Sequence, residues 1–296
     1  MIEFVSGISV FCFVASYLVA LACEASRLVF RSGVRGAAMI AFAAAGLFAH
    51  TLFLVWRAAT EQAVPLSSAF DWYLIAAWVL AGGYLWLAIA NPRTPVGLFM
   101  LPVVLGLIGA AEFSSRQPFP QSPATQVWGA IHGSFNLAAS VAVAIGAIAG
   151  LMWLIQAGRL ARKQAPLRGF RMPSLEKLTQ TSGRTLSVAA WTASAGFVSG
   201  IVLNAVNLQR ELLETVPWTD PVVLRMGAMV VWLVIAAAVS RAVSRRPEAS
   251  RITAWLTLVS FAVLTASILL GIFGATRHGV PPAMPAAAAI DSEAAL

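Results

Sequence analysis

The chain has 296 residues, 59% of them hydrophobic and only 11% charged, and its mean hydropathy is +0.81. A soluble domain carries about a quarter charged residues, so this composition excludes a water-solvated globule and fits a chain whose solvent is a bilayer. The formal charge of +8 does not mark a nucleic-acid binder, because the basic residues sit in short loops between apolar runs; the expected environment is membrane lipid.

The apolar runs are continuous and about 20 residues long, the length that crosses a hydrocarbon core of about 30 Å as a helix. A membrane β-barrel needs shorter, alternating segments. The runs predict spans at 4–23, 36–56, 70–90, 96–112, 129–156, 185–206, 222–243 and 252–273. The first is preceded by Met1-Ile2-Glu3 with no basic region, so it is expected to be a retained span rather than a cleaved signal. The class is therefore all-α: a polytopic membrane helical bundle of eight transmembrane helices. Residues 1–279 form its transmembrane domain. Residues 280–296 are Pro/Ala-rich and are expected to be a disordered tail.

Charge orients the spans. Arg27, Arg31 and Arg35 follow span one, and Arg93 lies in the tight Asn91–Pro95 turn after span three. Arg159, Arg162, Lys163, Arg168, Arg171, Lys177 and Arg184 follow span five. Arg241, Arg245, Arg246 and Arg251 surround the turn after span seven. Fifteen of the 20 Lys and Arg residues thus fall on one side, and cytoplasmic loops attract Lys and Arg. Both termini are then non-cytoplasmic, and a cytoplasmic (inner) membrane is the expected location.

Few residues offer chemistry. Cys12 and Cys23 lie on one predicted helix about 16 Å apart by helical rise, too far for a disulfide, and they read as apolar packing residues. The three histidines, His50, His132 and His278, all fall on the non-cytoplasmic side. Each reads alone as a packing or interfacial residue. Together they are candidate ligands, because two facing imidazoles can hold haem iron axially. Zinc is disfavoured, since no Cys or acid stands at ligand spacing. Trp56, Trp72, Trp128 and Trp218 fall near the same boundary, either as an interfacial aromatic belt or as a shelf for a flat apolar ligand. Trp128 and His132 share a face if their helix reaches back far enough. Asp71 and Asp220 stand at helix starts, where carboxylates cap free N–H groups. Asn136 and Asn204 read as interhelical hydrogen-bonding residues or as cavity lining. Gly146-x-x-x-Gly150 and Gly196-x-x-x-Gly200 point to close helix packing.

Several stretches in order resemble the cytochrome c assembly protein family, which includes CcsA-type and HemX-type membrane proteins. They are Ala49–Leu54 (AHTLFL), Pro65–Asp71 (PLSSAFD), Pro95–Pro102, Trp128 to Gln156 with its W-x-x-x-H start, and Arg171–Leu178 (RMPSLEKL). The resemblance covers about residues 40–278. In the CcsA branch it implies haem held at an outer tryptophan-rich loop flanked by two outer histidines. His132 matches the first and His278 approximately the second, with Trp128, Trp218 and Asp220 nearby and His50 as a further candidate. The loop itself is reduced here to Trp218-Thr219-Asp220-Pro221. Ala238-Val239-Ser240-Arg241 stands where that branch has an intramembrane histidine.

The resemblance therefore implies a haem-binding component of cytochrome c biogenesis, acting with a maturation partner that brings the apocytochrome thiols. The resemblance implies a part in a haem lyase or transport system rather than a free-standing enzyme. The alternative it implies is a HemX-like regulator of glutamyl-tRNA reductase abundance, acting through the basic 157–185 segment.

Overall fold

The computed structural model describes residues 9–27, 33–60, 67–119, 123–163, 172–209 and 217–273. Among them are eight α-helices: α1 (Val10–Ser26), α2 (Gly33–Thr60), α3 (Ala69–Ala90), α4 (Gly97–Glu112), α5 (Pro123–Ala161), α6 (Leu175–Gln209), α7 (Pro221–Ala242) and α8 (Ala249–Phe273). Six of these are long and apolar enough to cross a membrane, and α1 and α4 are shorter apolar helices. They mark a multi-pass membrane protein. Large apolar side chains around the perimeter, such as Trp191, Trp86, Phe48 and Phe273, are mostly exposed, which is tolerable only where the surrounding solvent is itself apolar.

Two helices start on caps that the sequence spells out. Ser68 and Asp71 form a reciprocal capping box at α3: the Asp71 N–H donates to Ser68 Oγ (3.2 Å), and the Ser68 N–H donates to Asp71 Oδ2 (3.0 Å). Asp220 is the N-cap of α7 and accepts from the Val222 N–H at 2.8 Å, with Pro221 in the first turn. Both satisfy helix-start N–H groups that otherwise lack partners.

Helices α5 and α6 extend beyond the apolar windows expected for them. The last turn of α5 carries Arg159, and the start of α6 runs through Glu176, Lys177 and Gln180. Such residues end a hydropathy window, but they are good helix formers. Much of the 157–185 segment expected as a basic loop is therefore helical.

The chain is arranged as two groups of four. α1–α4 close on one apolar core around Phe13, Tyr17, Phe70, Leu74, Tyr84, Leu101 and Val104. α5–α8 close on a second, Ala-rich core with Ala189, Ala193, Leu233 and Ala236. α5 joins them: Ala139, Ala142 and Val143 enter the second core, while Ala144, Ile148 and Met152 enter the first. Gly146 and Gly150 permit this junction. A Cβ at Gly146 would stand 2.6 Å from Thr185 Oγ1, and one at Gly150 would strike Thr257 and the Ala254 backbone. α6 and α8 thus approach the α5 backbone directly, the small-residue packing expected between membrane helices.

Successive helices run antiparallel. The Phe70 N–H near the start of α3 bonds to the Ser115 carbonyl after α4 (3.2 Å), and Phe113 meets Phe273 at the end of α8. At the opposite end, Arg27 reaches the Pro92 carbonyl, and Ser240 bonds Thr253 across the α7–α8 turn. The first of these ends also carries Trp218 and the start of α5.

Candidate functional site

His132 lies three turns into α5 and faces α6. Its Nδ1 is 2.7 Å from the Gly196 carbonyl oxygen. A carbonyl only accepts, so Nδ1 carries the proton, and in the neutral ring Nε2 keeps its lone pair. The Asn136 side-chain nitrogen stands 3.1 Å from that Nε2 and 2.9 Å from the His132 carbonyl. The amide therefore turns its N–H₂ toward His132 and donates to both.

The paired small residues on α6 form the seat for these side chains. A Cβ at Gly200 would lie 2.8 Å from His132 Cε1, and one at Gly196 would lie 2.9 Å from Asn136 Oδ1. Gly196-x-x-x-Gly200 thus serves a close helix approach whose content is specific: it makes room for one imidazole and one carboxamide.

His132 also lines a cleft of about 100 Å³ between α5, α6 and α7, with Phe197, Gly200, Asn204, Trp218, Val222 and Met226 among its walls. Most of the lining is apolar. Drug-sized ligands fill about 300–1,000 Å³, so this cleft admits the edge of a flat molecule rather than its whole body.

The candidate residues separate into groups. His132 and Trp218 come together at the cleft. Asp220 is buried two residues beyond Trp218 and is engaged in capping α7. Trp128 is one turn before His132 on the same continuous helix, half-buried, and it is not a wall of the cleft. His278 lies outside the described residues. His50 sits elsewhere, fully buried between α1 and α2. Its ring stacks on Phe13 at 4.2 Å between centroids and 2° between planes. Its Nδ1 is 3.4 Å from the Tyr17 hydroxyl, and its Nε2 is buried without a hydrogen-bond partner among the described residues. Among the described residues no three His, Cys, Asp or Glu side chains group as a metal site.

A third polar cluster closes the α2–α3–α4 end. Arg57 Nε pairs with the fully buried Asp71. The guanidinium of Arg57 stands 4.8 Å from the Phe70 ring centroid, and that of Arg116 stands 4.7 Å from it. Each distance is within cation–π range.

Sequence reasoning did not anticipate Phe197, Val222 or Met226. One signal was available: Phe197, Gly200, Ile201 and Asn204 recur at i, i+3, i+4 and i+7 and therefore share a face of α6. In an apolar helix that spacing looks the same whether the face meets lipid, protein or a cleft.

No protein-family model matches this chain, and no curated protein matches it significantly.

Proposed function

We propose that this chain is an eight-span protein of the cytoplasmic membrane, with both termini outside, that binds haem in cytochrome c biogenesis in the manner of CcsA-type proteins. The observation that carries the reading is the His132 imidazole. Its Nδ1–H is fixed on the Gly196 carbonyl, and it stands in an apolar cleft with Trp218. Metal-ligating histidines characteristically donate their second ring N–H to a carbonyl or carboxylate, which sets the tautomer and the ring orientation. His132 has that arrangement, so its donor chemistry would fit one imidazole ligand to the haem iron.

Haem, when bound, supplies the iron and the macrocycle that is joined to protein thiols. The residues of this chain bind and orient it. His132 offers a nitrogen ligand, Trp218 covers apolar surface, and the cleft excludes water from one edge. His278 is the second proposed ligand, and Arg225, adjacent to the wall residue Met226, is a cation for a propionate. A partner protein brings the apocytochrome.

The test is the absorption spectrum of the purified protein with added haemin. A Soret band with a low-spin imidazole signature, lost in His132→Ala and restored by added imidazole, supports the reading. A spectrum identical in His132→Ala removes His132 as ligand.

One observation favours the second reading, a HemX-like regulator of glutamyl-tRNA reductase. At the end of the bundle opposite Trp218, Arg162, Lys163, Lys177, Arg184, Arg241, Arg245, Arg246 and Arg251 are all exposed. This reading assigns that surface to the enzyme. Neutralising Arg159, Arg162, Lys163 and Arg168 with topology preserved would then raise the abundance of the reductase. An unchanged level of the enzyme counts against it.

A further inference from the structure

Two backbone carbonyls fix a side-chain pair in one hydrogen-bonding state. The Gly196 carbonyl takes the Nδ1 proton of His132 (2.7 Å) and so leaves the lone pair on Nε2. The His132 carbonyl takes an Asn136 amide proton (2.9 Å) and so fixes which end of the amide faces the ring. Reversing the amide would set its oxygen against the His132 carbonyl oxygen and break that bond. With both carbonyls satisfied, the Asn136 nitrogen stands 3.1 Å from Nε2 as its donor. Both groups are closely seated on α6, with Gly196 against the Asn136 oxygen and Gly200 against the imidazole.

We infer that Asn136 is a positioning residue that caps the ligating nitrogen of His132 and must swing away before that nitrogen can take a ligand. The part of this that concerns haem rests on the reading proposed above; the cap itself does not. Asn136 then has two consequences. It reinforces the tautomer that the Gly196 carbonyl already sets. It also competes with any ligand for the Nε2 lone pair, which weakens binding and keeps an empty site from taking up adventitious metal.

The competition has a predictable size. A neutral hydrogen bond contributes on the order of 1 kcal/mol net, equivalent to roughly a fivefold to tenfold change in affinity. Asn136→Leu keeps the branched shape of the side chain and cannot donate. It is expected to bind haemin roughly five to ten times more tightly than the wild type, and this gain is expected to vanish when His132→Ala is added.

The experiment combines two readouts on purified full-length protein. The first is ¹⁵N NMR of histidine-labelled protein, with His132→Gln used to assign the His132 ring. The wild-type ring should show a protonated Nδ1 and an unprotonated, hydrogen-bonded Nε2. In Asn136→Leu, Nε2 should stay unprotonated and move toward the value of a free lone pair. A wild-type ring protonated on Nε2, or an Nε2 resonance unmoved by the substitution, overturns the cap. The second readout is haemin titration of wild type, Asn136→Leu and the double variant. Equal or weaker binding by Asn136→Leu overturns the competition. If neither protein takes haemin while the NMR shift occurs, the haem reading falls and the cap stands. Asn136→Ala, checked by size-exclusion profile, serves both readouts if the leucine variant does not fold.

Discussion

Gly200 lies directly against the imidazole of His132: a Cβ at that glycine would stand 2.8 Å from Cε1 and 2.9 Å from Nδ1. The ring has little freedom to yield, because its Nδ1 is bonded to the Gly196 carbonyl and its Nε2 to Asn136. The same α6 stretch thus supplies the floor under the ring and the acceptor that orients it.

Gly200→Ala should accordingly displace the imidazole and break the bond to Gly196. Overpacking a close-fitted site costs about 1–3 kcal/mol, read as a lower midpoint of thermal unfolding in detergent. Gly129→Ala is the control, since a Cβ there meets nothing within 4 Å and alanine favours a helix. An equal midpoint for Gly200→Ala and Gly129→Ala would show that the seat is not tight.

Arg57 and Asp71 form the most buried ion pair at their end of the bundle among the described residues, with the carboxylate fully buried. Asp71 also closes the α3 capping box. Replacing it with alanine removes a fully buried carboxylate that pairs with Arg57 and strips the helix start. Breaking such a pair costs about 3–5 kcal/mol. Asp71→Ala should therefore reduce the yield of monodisperse protein and lower its unfolding midpoint strongly. Glu112→Ala, which removes an exposed partner of Arg116, should change little. Comparable losses in the two variants would contradict the ranking.

The proposed orientation makes a separate claim. A periplasm-active reporter fused after Leu296 should be active, and the same reporter inserted at Gln164 should not. A cytoplasm-active reporter should show the reverse at each site. Cytoplasmic activity at both positions would require an odd number of crossings between Gln164 and the C-terminus to become even, and the eight-span arrangement would fail.

Much of the architecture is legible in the apolar runs, because a bilayer imposes one length and one backbone solution on each crossing. Asp71 and Asp220 are legible as caps for a similar reason: Ser/Asp at a helix start has a local, sequence-near partner. The pairing of His132 with Asn136 is less so. Their spacing of four suggests contact, yet the orientation depends on Gly196, sixty-four residues from His132, and only tertiary packing brings that carbonyl within reach. The helical extensions of α5 and α6 were hidden because hydropathy reads where the bilayer ends, not where the helix ends. His50 shows the converse. Its location near an end of a span suggested a ligand shared with His132, but the face it occupies is set by Phe13 and Tyr17 on α1, which no local pattern around His50 reveals.

That packing gives the last prediction. The His50 ring is fully buried, stacked on Phe13, and 3.4 Å from the Tyr17 hydroxyl through Nδ1. Removing one member of a buried polar pair leaves the other unsatisfied at a cost of about 1–3 kcal/mol, whereas replacing both with apolar groups is close to neutral. His50→Leu should destabilise by stranding the Tyr17 hydroxyl, and Tyr17→Phe should destabilise by stranding Nδ1. The double variant should lose less than the sum, with a coupling of about 0.5–3 kcal/mol in equilibrium unfolding. Its haemin spectrum should match the wild type, because the cleft that holds His132 is lined by α5–α7 and Trp218 and does not include His50. Additive losses would dissolve the Tyr17–His50 pair. A spectrum altered by His50→Leu, with the fold intact, would return His50 to the haem site.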